Sequence, residues 1–254
     1  MPVLPISNVQ RLDRIDLLRA IAMLWMTAYH FCFDLNYHGL ISENFYRDPF
    51  WTWQRTAIVS LFLFTAGLSQ AVAVEQGQTW TRFWKRWQRV ALAALLVSAG
   101  SWWMYPSSFI YFGVLHGIAA MLIIVRLSTG WGAWLWLLGA LAIALKVVAP
   151  SLMAMEPALQ VFNSPWLNWL GFIDRLPRTQ DHVPLLPWLG AIWWGMAAGR
   201  WALANRPLWI GAGDPPAQGL KRGLVIMGQW SLSYYLLHQP VMLGLLGAWV
   251  WLLH

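Results

Sequence analysis

Apolar runs framed by polar or basic residues succeed one another along the chain, near 15–36, 52–74, 89–105, 108–127, 131–149, 183–204 and 224–252. Crossing roughly 30 Å of hydrocarbon takes about 20 helical residues. A chain segment in lipid must also satisfy its own backbone hydrogen bonds, which a helix does alone. The pattern therefore predicts an all-α fold, a polytopic membrane helix bundle with about seven transmembrane helices. No internal repeat or low-complexity tract interrupts it, and the loops are too short for a soluble domain, so residues 1–254 read as one membrane domain. The longest connection, 150–182, contains Pro165–Ile173, a stretch too short to span and read as lying in the interface.

Composition agrees with a bilayer as solvent: 59% of residues are hydrophobic and 11% charged, far from the balance of a soluble domain. Of the 21 tryptophans, many sit near the ends of apolar runs, as in Trp102-Trp103 and Trp249/Trp251, where an amphipathic ring keeps its N–H wet. The net charge of +7 does not point to nucleic acid, because the basic residues are scattered through short loops rather than gathered on one face. Cys32 is the one cysteine and lies inside an apolar run, which excludes a disulfide framework or a thiolate metal site. Met1 to Ser7 lead into a charged Arg11-Leu-Asp-Arg14 segment and a full-length span, unlike a cleavable signal peptide, so the first span reads as the insertion signal.

Charge in the loops changes the picture by giving it a direction. With the N-terminus in the cytoplasm, the inner segments collect Arg11, Arg14, Arg82, Lys85, Arg86, Arg89, Arg126, Arg200, Arg206, Lys221 and Arg222, against Arg47, Arg55, Arg175 and Arg178 outside. The expected topology is thus N-terminus cytoplasmic, with the C-terminus and the 150–182 segment outside.

An ionisable group at membrane depth is expensive and faces the bundle interior or a watery cavity, which makes it a functional hypothesis. The residues of this kind are Arg19, His30, Asp34, Arg55, His116 and His238. On the expected topology the three histidines fall in one layer, the outer third of the membrane. Arg19 and His30 are eleven residues apart, close to three turns, so they share a face about 16 Å apart along the axis. Asp34 follows His30 by four residues and stacks on it, where a carboxylate can fix the imidazole tautomer. Each residue also has a plainer reading. The histidines can bridge helices, Arg19 can snorkel or pair with Asp16, and the basic 80–89 run can simply set topology.

Arg14-Ile-Asp-Leu-Leu-Arg19-Ala-Ile-Ala, continued to Tyr29-His30, resembles the opening helix of membrane-bound acyltransferases, with Arg19 and His30 in the Arg-x10-His places of the acyltransferase-3 family. Arg86-Trp-Gln-Arg89 is similar to that family's Arg-x-x-Arg element, associated with the acyl donor. Phe112-Gly-Val-Leu-His116-Gly, Asp181-His-Val-Pro-Leu-Leu-Pro-Trp-Leu-Gly190 and Tyr235-Leu-Leu-His238-Gln-Pro240 resemble the bacterial branch grouped with the heparan-α-glucosaminide N-acetyltransferase catalytic domain. In the lysosomal enzyme of that branch the catalytic histidine lies in the loop after the first helix, where this chain has His38. The base is carried onto His30 from the acyltransferase-3 pattern instead.

The resemblance implies an integral membrane, CoA-dependent acyltransferase of a bacterial inner membrane. It would move an acyl group, most simply acetyl, from cytoplasmic acyl-CoA to an outward-facing hydroxyl or amine of a sugar-containing acceptor. His30 would be the catalytic base and Asp34 its orienter. Arg19, Arg86 and Arg89 would hold the CoA phosphates. Arg55, His116, His238 and Gln239 would bind substrate or polarise the thioester. Acetyl-CoA or another acyl-CoA is the co-substrate, and no metal is expected. The implied partners are the lipid bilayer, acyl-CoA and the sugar acceptor, with homo-oligomerisation left open. Two other classes fit the same buried polar residues: a proton-coupled transporter and a non-catalytic membrane partner in envelope assembly.

Overall fold

The computed structural model describes residues 11–253, and the Met1–Ser7 lead-in falls outside them. Among the described residues the regular structure is helical: α1 (Asp13–Tyr37), α2 (Pro49–Glu75), α3 (Trp80–Met104), α4 (Val114–Leu127), α5 (Trp134–Met155), α6 (Leu185–Asn205), α7 (Gly219–Gln229) and α8 (Ser231–Leu253), with short 3-10 turns between some of them. One isolated parallel bridge joins Phe112 to His182. Three helices, Pro49–Glu75, Trp134–Met155 and the span Ser231–Leu252 of α8, are long and apolar enough to cross a membrane.

Three apolar runs fold differently from a reading by hydropathy alone. The 224–252 run is two helices, broken at Trp230, whose N–H reaches back to the Ile226 and Met227 carbonyls before α8 begins. The 108–127 run becomes helical only at Val114; Phe112 is extended, bridged to His182, and its carbonyl accepts from Val183 N–H at 3.0 Å. The 131–149 run continues through Pro150 to Met155. Conversely, the basic 80–89 segment is no loop. It forms the first turns of α3, begun by Thr79, whose side chain accepts from Arg82 N–H.

The chain divides into two compact units, residues 63–210 and residues 11–62 with 211–253. In the first unit α5 and α6 approach closely where glycines remove side-chain bulk: a Cβ on Gly190 would lie 2.6 Å from the Gly139 carbonyl oxygen. Arg126, at the end of α4, lies over the rings of Trp80 and Phe83 and donates to the Gln78 carbonyl. In the second unit α1 packs against α7 and α8.

The charged opening of α1 is wired into that second unit. Arg14 makes two bonds to Asp214, at 2.7 and 3.1 Å, and the Asp13 carboxylate accepts from Ala217 N–H at 2.9 Å. Asp16, only 2% exposed, is paired with Arg19 on its own helix and with Arg11 at 3.2 Å. An ion pair removed from water needs such multiple partners to be tolerated.

Candidate functional site: a polar seam between α1 and α8

Thr27, His30 and Asp34 follow each other on α1 at intervals of three and four residues, so they occupy one stripe of the helix. Tyr234, His238 and Gln239 face them from α8, and the two stripes bond in register. The Thr27 hydroxyl and the Tyr234 hydroxyl are 2.7 Å apart. His30 Nδ1 and His238 Nε2 are 2.9 Å apart. Gln239 Nε2 donates to Asp34 Oδ1 at 2.8 Å. Asp34 and His238 are buried, at 1% and 8% exposure. The remaining oxygens of this last pair, Asp34 Oδ2 and the Gln239 amide oxygen Oε1, are buried without a hydrogen-bond partner, a costly arrangement that marks a place where a ligand hydroxyl or amine could donate.

Sequence reasoning brought His30, Asp34, His238 and Gln239 forward, and the structure gathers all four. The pairing differs from the stacking expected along α1. Asp34 bonds Gln239, and the recorded partner of the His30 imidazole is His238, not Asp34. Thr27 and Tyr234 were missed, although their spacing from His30 and His238 on the same helix faces was the available signal.

The remaining candidates have surroundings of their own. Arg19 is engaged with Asp16 at the start of α1, the pairing its plainer reading anticipates. Arg55 is exposed on α2, and Arg86 and Arg89 are exposed on α3, three residues apart and hence on one face. His116 holds α4 to α3. Gly113 N–H donates to its Nδ1 at 3.3 Å, so the ring proton sits on Nε2 and points to Ser98 Oγ at 3.0 Å, while that hydroxyl donates to the Ile110 carbonyl at 2.6 Å. Both nitrogens of His116 therefore serve local architecture, and a substrate role would require one of these bonds to open. Among the described residues no three His, Cys, Asp or Glu side chains group as metal ligands.

A second polar cluster, in residues 63–210, surrounds the Asp181-His182 pair. Asp181 Oδ2 caps the start of α4 by accepting from Val114 N–H at 2.7 Å. Asn168 Nδ2 donates to the Tyr111 hydroxyl at 2.8 Å, and Lys146 Nζ donates to the Ile173 carbonyl at 2.9 Å. Neither ring nitrogen of His182 makes a hydrogen bond of normal geometry. Burial first, and the Lys146 ammonium second, push its pKa down to about 4. With the folded value below the ordinary one near 6.5, protonation favours the unfolded chain. The His182 contribution is therefore complete above about pH 6.5 and lost as pH falls toward 4, by up to about 1.4 kcal/mol per pH unit. Thermal unfolding of the detergent-solubilised protein at pH 7 and pH 5 should show a smaller acid loss for His182→Asn than for the wild type.

Searches of curated proteins and of solved structures give no significant match. A model of one protein family does match, over residues 11–240, which takes in α1, the Asp181-His182 segment and the part of α8 that carries His238 and Gln239. With nearly the whole chain matched, this integral membrane protein belongs to the family described as heparan-alpha-glucosaminide N-acetyltransferase, catalytic.

Proposed function

We propose that the chain, working as one membrane acyltransferase domain, transfers an acetyl group from cytoplasmic acetyl-CoA to an outward-facing hydroxyl or amine of a sugar. Its family is one of acetyltransferases. The observation that carries the reading is the α1/α8 seam, where an imidazole, His30, and a buried carboxylate oxygen without a partner, Asp34 Oδ2, stand one helical turn apart on α1. Acyl transfer needs those two things: a base for the acceptor proton and an acceptor-binding group fixed next to it.

In the proposed step His30 takes the proton of the acceptor O–H or N–H as the acceptor atom attacks the thioester carbonyl carbon. The new C–O or C–N bond forms, the C–S bond breaks, and the departing CoA sulfur receives the proton from His30. Asp34 and Gln239 hold the acceptor through the buried oxygens that lack partners. Arg19, Arg86 and Arg89 bind the CoA phosphates, guanidinium being suited to bidentate contact with phosphate oxygens. A bacterial inner membrane, with the N-terminus in the cytoplasm, is the proposed setting.

The direct test is turnover of labelled acetyl-CoA by the purified protein, with stabilisation by CoA measured alongside. Absence of both would remove the reading. The donor half has its own test. Hydrogen bonds to charged groups contribute about 1.5–3 kcal/mol, and 1.4 kcal/mol is tenfold in affinity. The double variant Arg86→Ala, Arg89→Ala should therefore raise the Kd for CoA at least about tenfold while membrane insertion is retained, other inner-side cations still setting topology. Unchanged CoA affinity would leave the basic face of α3 a topological signal only.

A further inference from the structure

The ring protons of the histidine pair can be placed from the partners alone. His238 Nδ1 lies 2.8 Å from the Tyr235 backbone oxygen. A carbonyl only accepts, so the Nδ1 carries the proton. A neutral imidazole has one N–H, which leaves His238 Nε2 as a lone pair, and this nitrogen lies 2.9 Å from His30 Nδ1. His30 must then be the donor in that bond, with its proton on Nδ1, and its Nε2 holds the free lone pair. The two rings are 12° from coplanar with centroids 5.1 Å apart. With nitrogens at 2.9 Å they meet edge to edge, along the lone-pair direction, rather than face to face. Among the described residues His30 makes no other hydrogen bond.

The surroundings hold this arrangement in place. Thr27 Oγ1 donates its one proton to the Met23 carbonyl at 2.8 Å, so the Tyr234 hydroxyl must donate to Thr27. That bond fixes the Tyr234 ring, which lies 5° from parallel to His238 with centroids 5.8 Å apart. Asp34, the group that i, i+4 spacing would nominate to orient His30, has Oδ1 bonded to Gln239 instead.

We propose that His238 is a positioning residue: the chain from the Tyr235 carbonyl through His238 to His30 holds His30 in its Nδ1–H tautomer and presents Nε2 as the base. When Nε2 takes the acceptor proton, the resulting imidazolium keeps donating from Nδ1 to the neutral His238 lone pair, which stabilises the charge as a carboxylate does in a catalytic triad. This role rests on the acyl-transfer reading, while the tautomer itself does not.

The test uses the full chain with 15N-labelled histidine, in detergent or nanodiscs, and reads the ring nitrogens of His30 by NMR, assigned by their loss in His30→Ala. The expected wild-type result is a protonated Nδ1 and an unprotonated Nε2. His238→Leu should move the proton to Nε2 and lower kcat about tenfold or more, with the acceptor KM held. His238→Gln should restore both tautomer and most of kcat, since its amide oxygen can accept from His30 and its amide nitrogen can donate to Tyr235. An Nε2–H tautomer in the wild type, no change of tautomer in His238→Leu, or a loss confined to KM would each overturn the proposal. The Nδ1–H tautomer in a wild-type protein that transfers no acetyl group would uphold the proton placement and remove the acyl-transfer reading.

Discussion

His30→Ala is expected to abolish acetyl transfer while leaving acetyl-CoA binding nearly unchanged. Removing a general base costs about 10²–10⁴ in rate, and the neighbouring side chains are held by other partners. His238 has its Nδ1 committed to the Tyr235 carbonyl and its Nε2 directed at position 30, so it reaches the place of the His30 Nε2 only by breaking the Tyr235 contact. Asp34 is held by Gln239. Its variant Asp34→Asn should cost less than His30→Ala, because an amide oxygen still accepts from Gln239 and only the second oxygen's acceptor contact is lost. The measurement is turnover with labelled acetyl-CoA beside equilibrium binding of an unhydrolysable CoA analogue. Full activity in the His30 variant would remove the centre of the mechanism. Parallel loss of binding and turnover would make His30 a donor-binding or structural residue instead.

Much of this site could be read from the chain because its information is local. Arg19, His30 and Asp34 stand on one helix at spacings that helical geometry converts into a shared face, and α1 spans Asp13–Tyr37 where the apolar run is 15–36. The partner choice could not be read the same way. Whether Asp34 or His238 bonds the His30 ring depends on how α8 is rotated and shifted against α1, and no spacing within α1 contains that. The same limit explains the runs that fold differently. Hydropathy averages over composition, so Phe109-Ile110-Tyr111-Phe112 counts as span although its backbone groups are used by Thr179 and Val183, far along the chain. The break at Trp230 has no proline to announce it. It falls two residues after Gly228, where α7 docks closely on α1.

That docking also ties the charged opening motif to the site. Arg11, Asp13, Arg14 and Asp16 anchor the base of α1 to the 214–217 segment and to one another. The same helix carries His30 about 21 Å further along, fourteen residues at 1.5 Å each. An error of tilt at the base is therefore magnified at the histidine. Misplacing a reacting group by about 1 Å can cost about 10² in rate. The arginines and aspartates of this motif are accordingly structural in the geometry seen, whatever Arg19 adds toward a phosphate.

Gly228→Ala should be the most damaging small substitution in the 211–253 segment. α7 crosses α1 so closely at this point that a Cβ on Gly228 would lie 1.8 Å from the Asp16 carbonyl oxygen and 2.6 Å from its carbonyl carbon. Those atoms are backbone, so no rotamer change relieves the overlap, and the helices must separate. An overpacked site typically loses about 1–3 kcal/mol and sometimes more, and backbone against backbone belongs at the upper end. Gly223, five residues earlier on the same helix, has nothing within 4 Å of its Cβ position and is exposed. Gly223→Ala should thus be neutral, or stabilising by up to about 1 kcal/mol through helix propensity. Thermal unfolding of the two variants in one detergent gives the comparison, and acetyl transfer measured below the lower transition shows whether moving α1 also disturbs His30. Equal melting temperatures would mean that α7 and α1 do not make this crossing. A destabilised Gly228→Ala with full kcat would mean that the position of His30 is set by α8 rather than by the base of α1.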